Sequence, residues 1–225
     1  MNRRAPSLAV RHAWFTVGVV ITAFGIAFIT KGALGTTPIT SLPLVFSFQF
    51  TPTVGTLTFL LNLIFIFAQA ALLRKDFRPY EWAQILVNIV FSSFIDISLW
   101  SLGWLDPNTL WLQLLVVAVG CLILAFGITV QVAPGVLTTP GEGIVKAIAI
   151  VSKVRFGTVK VIFDWSLIGL AAISSFIFFG ELRGVGPGTV ISALVIGIII
   201  NFFFKRMLWL SRLNPPIIPK DDLEP

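Results

Sequence analysis

The stretch Val17–Ala70, opening VGVVITAFGI, returns without a gap as Val119–Ala172, opening VGCLILAFGI, 102 residues further on. Of the 54 aligned positions 14 are identical, against about a tenth for two unrelated apolar segments. Thr36-Thr37-Pro38 falls on Thr138-Thr139-Pro140, and Gly55-Thr56 on Gly157-Thr158. Two related halves are the plan of many membrane transporters, which hold their substrate where the halves meet.

Composition places the chain in a membrane. It is 56% hydrophobic and 12% charged, with a mean hydropathy of +0.96, a balance that water does not tolerate. No Asp, Glu, Lys or Arg occurs in the 42 residues between Lys31 and Arg74, or in the 35 between Asp106 and Glu142. Each run exceeds the roughly 20 residues that one spanning helix needs. Six spans are predicted: Ala13–Thr30, Val54–Leu73, Trp82–Leu102, Leu110–Val132, Val159–Phe179 and Val185–Phe204. The basic N-terminus followed by an apolar run has the look of a leader, but that run has an internal copy in the fourth span, so it reads as the first transmembrane helix. Six of the seven Trp lie near span ends, as an aromatic belt would.

Basic residues are retained on the cytoplasmic side of short connections. Arg3, Arg4 and Arg11 precede span one, and Arg74, Lys75 and Arg78 follow span two. Lys146, Lys153 and Arg155 follow span four, and Lys205, Arg206 and Arg212 follow span six. With six crossings all four clusters share one side, and both termini are predicted cytoplasmic. Only Lys31, Asp106, Glu181 and Arg183 fall on the other. The net charge of +6 is then a matter of topology and anionic headgroups, with no support for a nucleic-acid partner. Three crossings per half is an odd number, so the second half enters from the side where the first one left. The predicted fold is therefore all-α and polytopic: two inverted three-helix repeats, 13–105 and 106–210, between a cytoplasmic segment 1–12 and a proline- and acid-rich, disordered tail 211–225.

Each Thr-Thr-Pro opens a run of about fifteen residues, too short to span at about 1.5 Å per residue. Threonine at the cap followed by proline in the first turn is a helix-start signature, so each repeat is expected to carry a broken or re-entrant helix. Thr139 to Glu142 also fits a capping box. Gly32, Gly35 and Gly135 would let the chain turn sharply. Free N–H groups and a partial positive charge at a helix start suit an anionic or carbonyl-bearing solute. The plain structural alternative is that both motifs are caps where a loop re-enters a helix.

The runs ITKGALGTTPITSLPLVFS, GTLTFLLNLIFI and RPYEWAQILVNIVFSSFIDI, at 29–47, 55–66 and 78–97, resemble the YczE/YyaS/YitT family of bacterial membrane proteins. In that group a glycine and proline follow span one, a glycine opens span two, and a span ends in Asp. Gly35, Pro38, Gly55 and Asp96 occupy those places, and Gly184–Gly188 leading to Asn201 looks like the second-half equivalent. The likeness covers most of 23–205; Thr-Thr departs from the small residues usual there. It implies a multipass inner-membrane protein, a transporter whose substrate the family label does not supply.

Charge near a bilayer centre is costly and is usually functional or paired. Asp164 aligns with Asn62, and a shift of 105 places Asp96 opposite Asn201. The predicted substrate site is thus Thr36, Thr37, Pro38, Thr138, Thr139, Pro140, Glu142, Asn62 and Asp164, with Asp96, Asn201 and Asp164 as candidates for proton or ion coupling. Against these stand structural readings: an Asp164–Lys160 pair, a Glu142–Lys146 pair at i, i+4, and Asp96 and Asn201 among headgroups. Cys121 reads as a buried packing residue, and His12 as a solvated flank.

No ATP-binding, His-Glu-x-x-His or Gly-x-Ser-x-Gly signature occurs, so an enzyme is not expected and neither a cofactor nor a metal is implied. The favoured reading is a secondary transporter or permease for a small solute, cycling around the two helix starts. The alternative is a membrane scaffold or sensor, in which the repeated polar positions serve helix packing. The lipid bilayer and a small solute are the expected partners, and a homo-oligomer is left open.

Overall fold

A computed structural model describes residues 6–207. The expectations for Arg3, Arg4, Trp209, Arg212 and the whole tail 211–225 lie outside the described residues. Eight helices are present among the described residues: α1 Leu8–Lys31, α2 Pro38–Gln49, α3 Val54–Leu73, α4 Gln84–Ser101, α5 Leu110–Val132, α6 Pro140–Ser152, α7 Phe156–Phe179 and α8 Pro187–Arg206. Two short 3-10 turns, Arg74–Asp76 and Pro79–Ala83, join α3 to α4.

Six of these helices are long and apolar enough to cross a membrane. The other two, α2 and α6, have 12 and 13 residues, or about 18–20 Å of helix against a hydrocarbon core of about 30 Å. Local chemistry sets the boundaries. Ser7 and Thr53 cap α1 and α3 by accepting from Val10 N at 3.4 Å and Thr56 N at 3.1 Å. Proline occupies the first turn of α2, α6 and α8, and Gly180 ends α7 in the left-handed region at φ 70°.

The distribution of side chains is that of a protein solvated by lipid. Ile177 is 74% exposed, Ile198 69% and Leu86 68%, whereas Asn62, Gln69, Gln84 and Asn88 are all at 2% or less. A bilayer core offers no hydrogen-bond partners, so amides turn inward and aliphatic groups outward. Trp100, Trp104 and Trp111 are exposed near helix ends, where an aromatic belt meets headgroups. The chain is an all-α, multipass membrane protein.

The centre is the antiparallel pair α1·α5, held together through glycine. A Cβ at Gly25 would stand 2.5 Å from Leu124 N, and one at Gly127 would stand 2.5 Å from Thr22 N. Gly18 likewise abuts Gln131, and Gly120 abuts Ile29. These contacts come in matched pairs: adding or subtracting 102 converts Gly25–Leu124 into Gly127–Thr22, and Gly18–Gln131 into Gly120–Ile29. Each of these contacts therefore recurs at the sequence offset. The correspondence extends outward, since α1 packs on α4 as α5 does on α8, and α2 packs on α7 as α6 does on α3. Each short helix therefore leans on the other half of the molecule.

Candidate functional site

The two helix starts meet. Ile39, next to Pro38, lies over Gly141, next to Pro140, with its Cδ1 2.7 Å from where a Cβ on Gly141 would stand. Ile39 and Gly141 are equivalent positions at the offset of 102. Beside it Phe65, Ile144 and Leu167 form an apolar cluster with Leu61, Ile148 and Phe163. The rings of Phe65 and Phe163 make an edge contact at 5.3 Å. Where the sequence suggests a cavity shared by both Thr-Thr-Pro motifs, apolar side chains fill the space.

Around the first start a chain of hydroxyls is closed on itself. Thr36 Oγ1 lies 2.7 Å from Thr30 Oγ1 and 3.0 Å from Thr40 Oγ1, which in turn lies 2.7 Å from Thr37 Oγ1. Thr36 N donates to Thr189 Oγ1 at 3.1 Å, and Gly188 N to Leu34 O at 2.8 Å, docking this loop on the head of α8. Gly35, at φ 110°, permits the approach, as a Cβ there would strike the Thr189 side chain. Gly32 does not make the expected turn. Its φ is −64° and its bare Cα admits Val117 instead, while Ala33 takes the left-handed conformation at φ 58°.

The second start is looser. Thr138 and Thr139 are half-buried where Thr36 and Thr37 are buried. Pro140 O accepts from Gln69 Nε2 at 3.1 Å, and Gln69 exchanges amide bonds with Gln84 at 3.2 and 3.3 Å. Tyr80 OH donates to Val136 O, the repeat equivalent of Leu34 O. The expected capping box is absent: neither Thr37 nor Thr139 caps its helix through its side chain. The Glu142 carboxylate faces the Thr139 hydroxyl together with Lys160 and Asp164. Nor does Glu142 pair with Lys146, which points outward. Lys160 lies on the neighbouring α7, where its ion pair is with Asp164.

The other polar residues separate. Asp164 is held by Lys160 Nζ, one turn earlier on the same helix, at 2.5 and 2.7 Å. Asn62 Nδ2 donates to Asn88 Oδ1 at 2.8 Å, and Asn88 to Phe59 O at 3.0 Å, leaving Asn62 Oδ1 buried without a partner. Asp96 accepts from Gly55 N at 2.7 Å and Thr53 Oγ1 at 2.6 Å, so its charge meets the start of α3. Its counterpart Asn201 is exposed. Gly157 and Gly197, the counterparts of Gly55 and Ser92, have nothing within 4 Å of a Cβ position, whereas Gly55 abuts Ser92 O. The same contact is thus made in one half and open in the other.

Gln69, Gln84, Asn88 and Thr189 were not singled out by the sequence. A signal existed for two of them, since the shift of 105 that pairs Asp96 with Asn201 also pairs Gln84 with Thr189. Gln69 falls on Ala171 and Asn88 on Ala193, so recurrence of polarity could not find them. A cavity of about 720 Å³ opens beside the first start, at the ends of α1 and α4. It touches neither Thr138 nor Asp164.

Residues 9–205 match a family described as a family of unknown function, DUF6198, and the chain belongs to it. It is also similar to the "Uncharacterized protein YyaS" of Bacillus subtilis (strain 168), 24% identical over 202 residues that cover 86% of this chain and 92% of that protein. The YyaS part of the sequence resemblance is met by this match. No solved structure matches.

Proposed function

We propose that this chain is a secondary transporter or permease for a small anionic solute, working by alternating access in the bacterial cytoplasmic membrane, with both termini cytoplasmic. In this reading α1–α4 and α5–α8 are inverted repeats, and the solute passes the meeting point of the two helix starts. One observation carries it: contacts equivalent under the repeat are formed at Gly55, Ser92 and Asp96 but open at Gly157, Gly197 and Asn201. A two-fold-related pair of gates, one shut and one open, is what an alternating-access protein presents in each of its end states. The antiparallel run of α1 against α5 supports inversion, since equivalent helices of parallel repeats would run the same way. Exchange of the two gate conformations then turns an inward-open state into an outward-open one. No catalytic role is assigned to any residue.

The central test is solute flux into proteoliposomes, where a scaffold or sensor gives none. Inversion is tested separately with Thr51→Cys and Lys153→Cys, exposed equivalents at the offset of 102, each in a Cys121→Ala background. An impermeant maleimide is expected to label the first from outside and the second from the cytoplasm. Labelling of both from the same side ends the inverted-repeat reading.

A further inference from the structure

We infer that the cavity beside the first helix start is a binding site for a monovalent organic anion with an apolar body, a carboxylate carried on an aliphatic or aromatic group. This deepens the transporter reading and, as a statement of substrate class, rests on it. The cavity, about 720 Å³, lies within the 300–1,000 Å³ or so usual for small-molecule sites. Its walls are Leu44, Phe48, Val54, Leu99 and Leu182.

Its polar lining is sparse and mostly committed. Thr30 and Ser47 give their hydroxyl protons to Ile26 O at 2.8 Å and Leu44 O at 2.7 Å. Arg183 binds Glu181 at 2.6 Å and stacks on Phe179 at 5.1 Å, so its charge is balanced in place. Lys31 is half-buried on the same cavity, with no acid partner among the described residues. Asp96, near this end of α4, is occupied with Gly55 N and Thr53.

One uncompensated cation above apolar walls selects the ligand by what it cannot satisfy. A sugar would bury many hydroxyls against side chains that offer no partners. A polyanion would find one positive charge for several negative ones. A single carboxylate on Lys31, with its apolar remainder on Phe48, Leu99 and Leu182, leaves nothing unpaired. Such an anion can arrive as a soluble monocarboxylate or as an anionic lipid from the adjoining leaflet.

The test is equilibrium binding of radiolabelled octanoate to the full-length protein in phosphatidylcholine nanodiscs, with no gradient imposed. Saturable binding is expected, competed by benzoate but not by octanamide or gluconate. Lys31→Gln is expected to weaken it about tenfold or more, the loss of one charge-assisted contact, and Lys31→Arg to keep it within about threefold. Phosphatidylglycerol in the nanodisc competes if the natural source is lipid and leaves binding unchanged if it is soluble. Octanamide competing as well as benzoate, unchanged affinity in Lys31→Gln, or no saturable binding by protein with an intact thermal transition overturns the inference. Lys31-dependent binding without flux would instead sink the transporter reading alone, and flux without Lys31-dependent binding would sink this inference alone.

Discussion

Replacing Gly25 by alanine tests the centre of the architecture. The new methyl would stand 2.5 Å from Leu124 N, 2.6 Å from its Cα and 2.8 Å from its Cβ, about 1 Å inside ordinary contact. All three atoms belong to the backbone of α5 or are bonded to it, so no change of rotamer relieves the clash and the two helices must part. Overpacking of this kind costs about 3 kcal/mol, the upper part of its usual range, and alanine returns up to about 1 kcal/mol of helix propensity. The net loss is about 2 kcal/mol, roughly thirtyfold in the folding equilibrium. Gly127→Ala, whose methyl meets Thr22 N at 2.5 Å, should lose as much. Gly169→Ala, with nothing within 4 Å, should lose nothing. Steric-trapping measurements of unfolding in bicelles read these differences. If Gly25→Ala lies within about 0.5 kcal/mol of wild type, or if Leu124→Ala rescues it, the backbone-contact account of α1·α5 is wrong.

Three further outcomes follow from the polar contacts. Asp96→Ala removes two hydrogen bonds to a charged acceptor, about 3 kcal/mol from the shut gate; impermeant labelling of Val54→Cys in a Cys121→Ala background should speed up. Asn201→Asp, which places on α8 the carboxylate that α4 offers to the start of α3, should do the same by closing the other gate, and unchanged rates in both variants refute the two-gate account. Lys160→Ala strands Asp164 beside Glu142 and should destabilise the fold by about 3 kcal/mol. Lys160→Met with Asp164→Asn should recover most of that, and equal melting of single and double variants in detergent would count against a structural pair. Gln84→Leu should cost about 1–3 kcal/mol because Gln69 loses its amide partner inside the bundle, while Gln69→Leu with Gln84→Leu should cost less than either alone; a thermodynamic cycle measures the difference.

Much of the scaffold was legible because its causes are local. Helix boundaries at Val54–Leu73 and Leu110–Val132 agree with the sequence reading to the residue, because hydropathy and threonine caps act over a single turn. Thr37-Pro38 and Thr139-Pro140 mark the short helices for the same reason. The candidate site was legible only in part. The repeated motifs were found and do meet, but Ile39 and Phe65 occupy the space between them, and nothing in a run of apolar letters distinguishes a plug from a wall.

The spans, the duplication and the places where helices break are written in neighbouring residues or in a fixed offset, and so can be read from the chain before it folds. Which polar groups satisfy one another was settled only by the packed fold: Asp96 on Gly55, Gln69 on Gln84, Thr36 on Thr189 and Lys160 on Asp164. It alone also made Gly55 and Gly157 differ, one shut against Ser92 and one open. The same Gly-Thr pair stands at both positions, so the difference comes from which helix packs against each, and that is a property of the packed molecule.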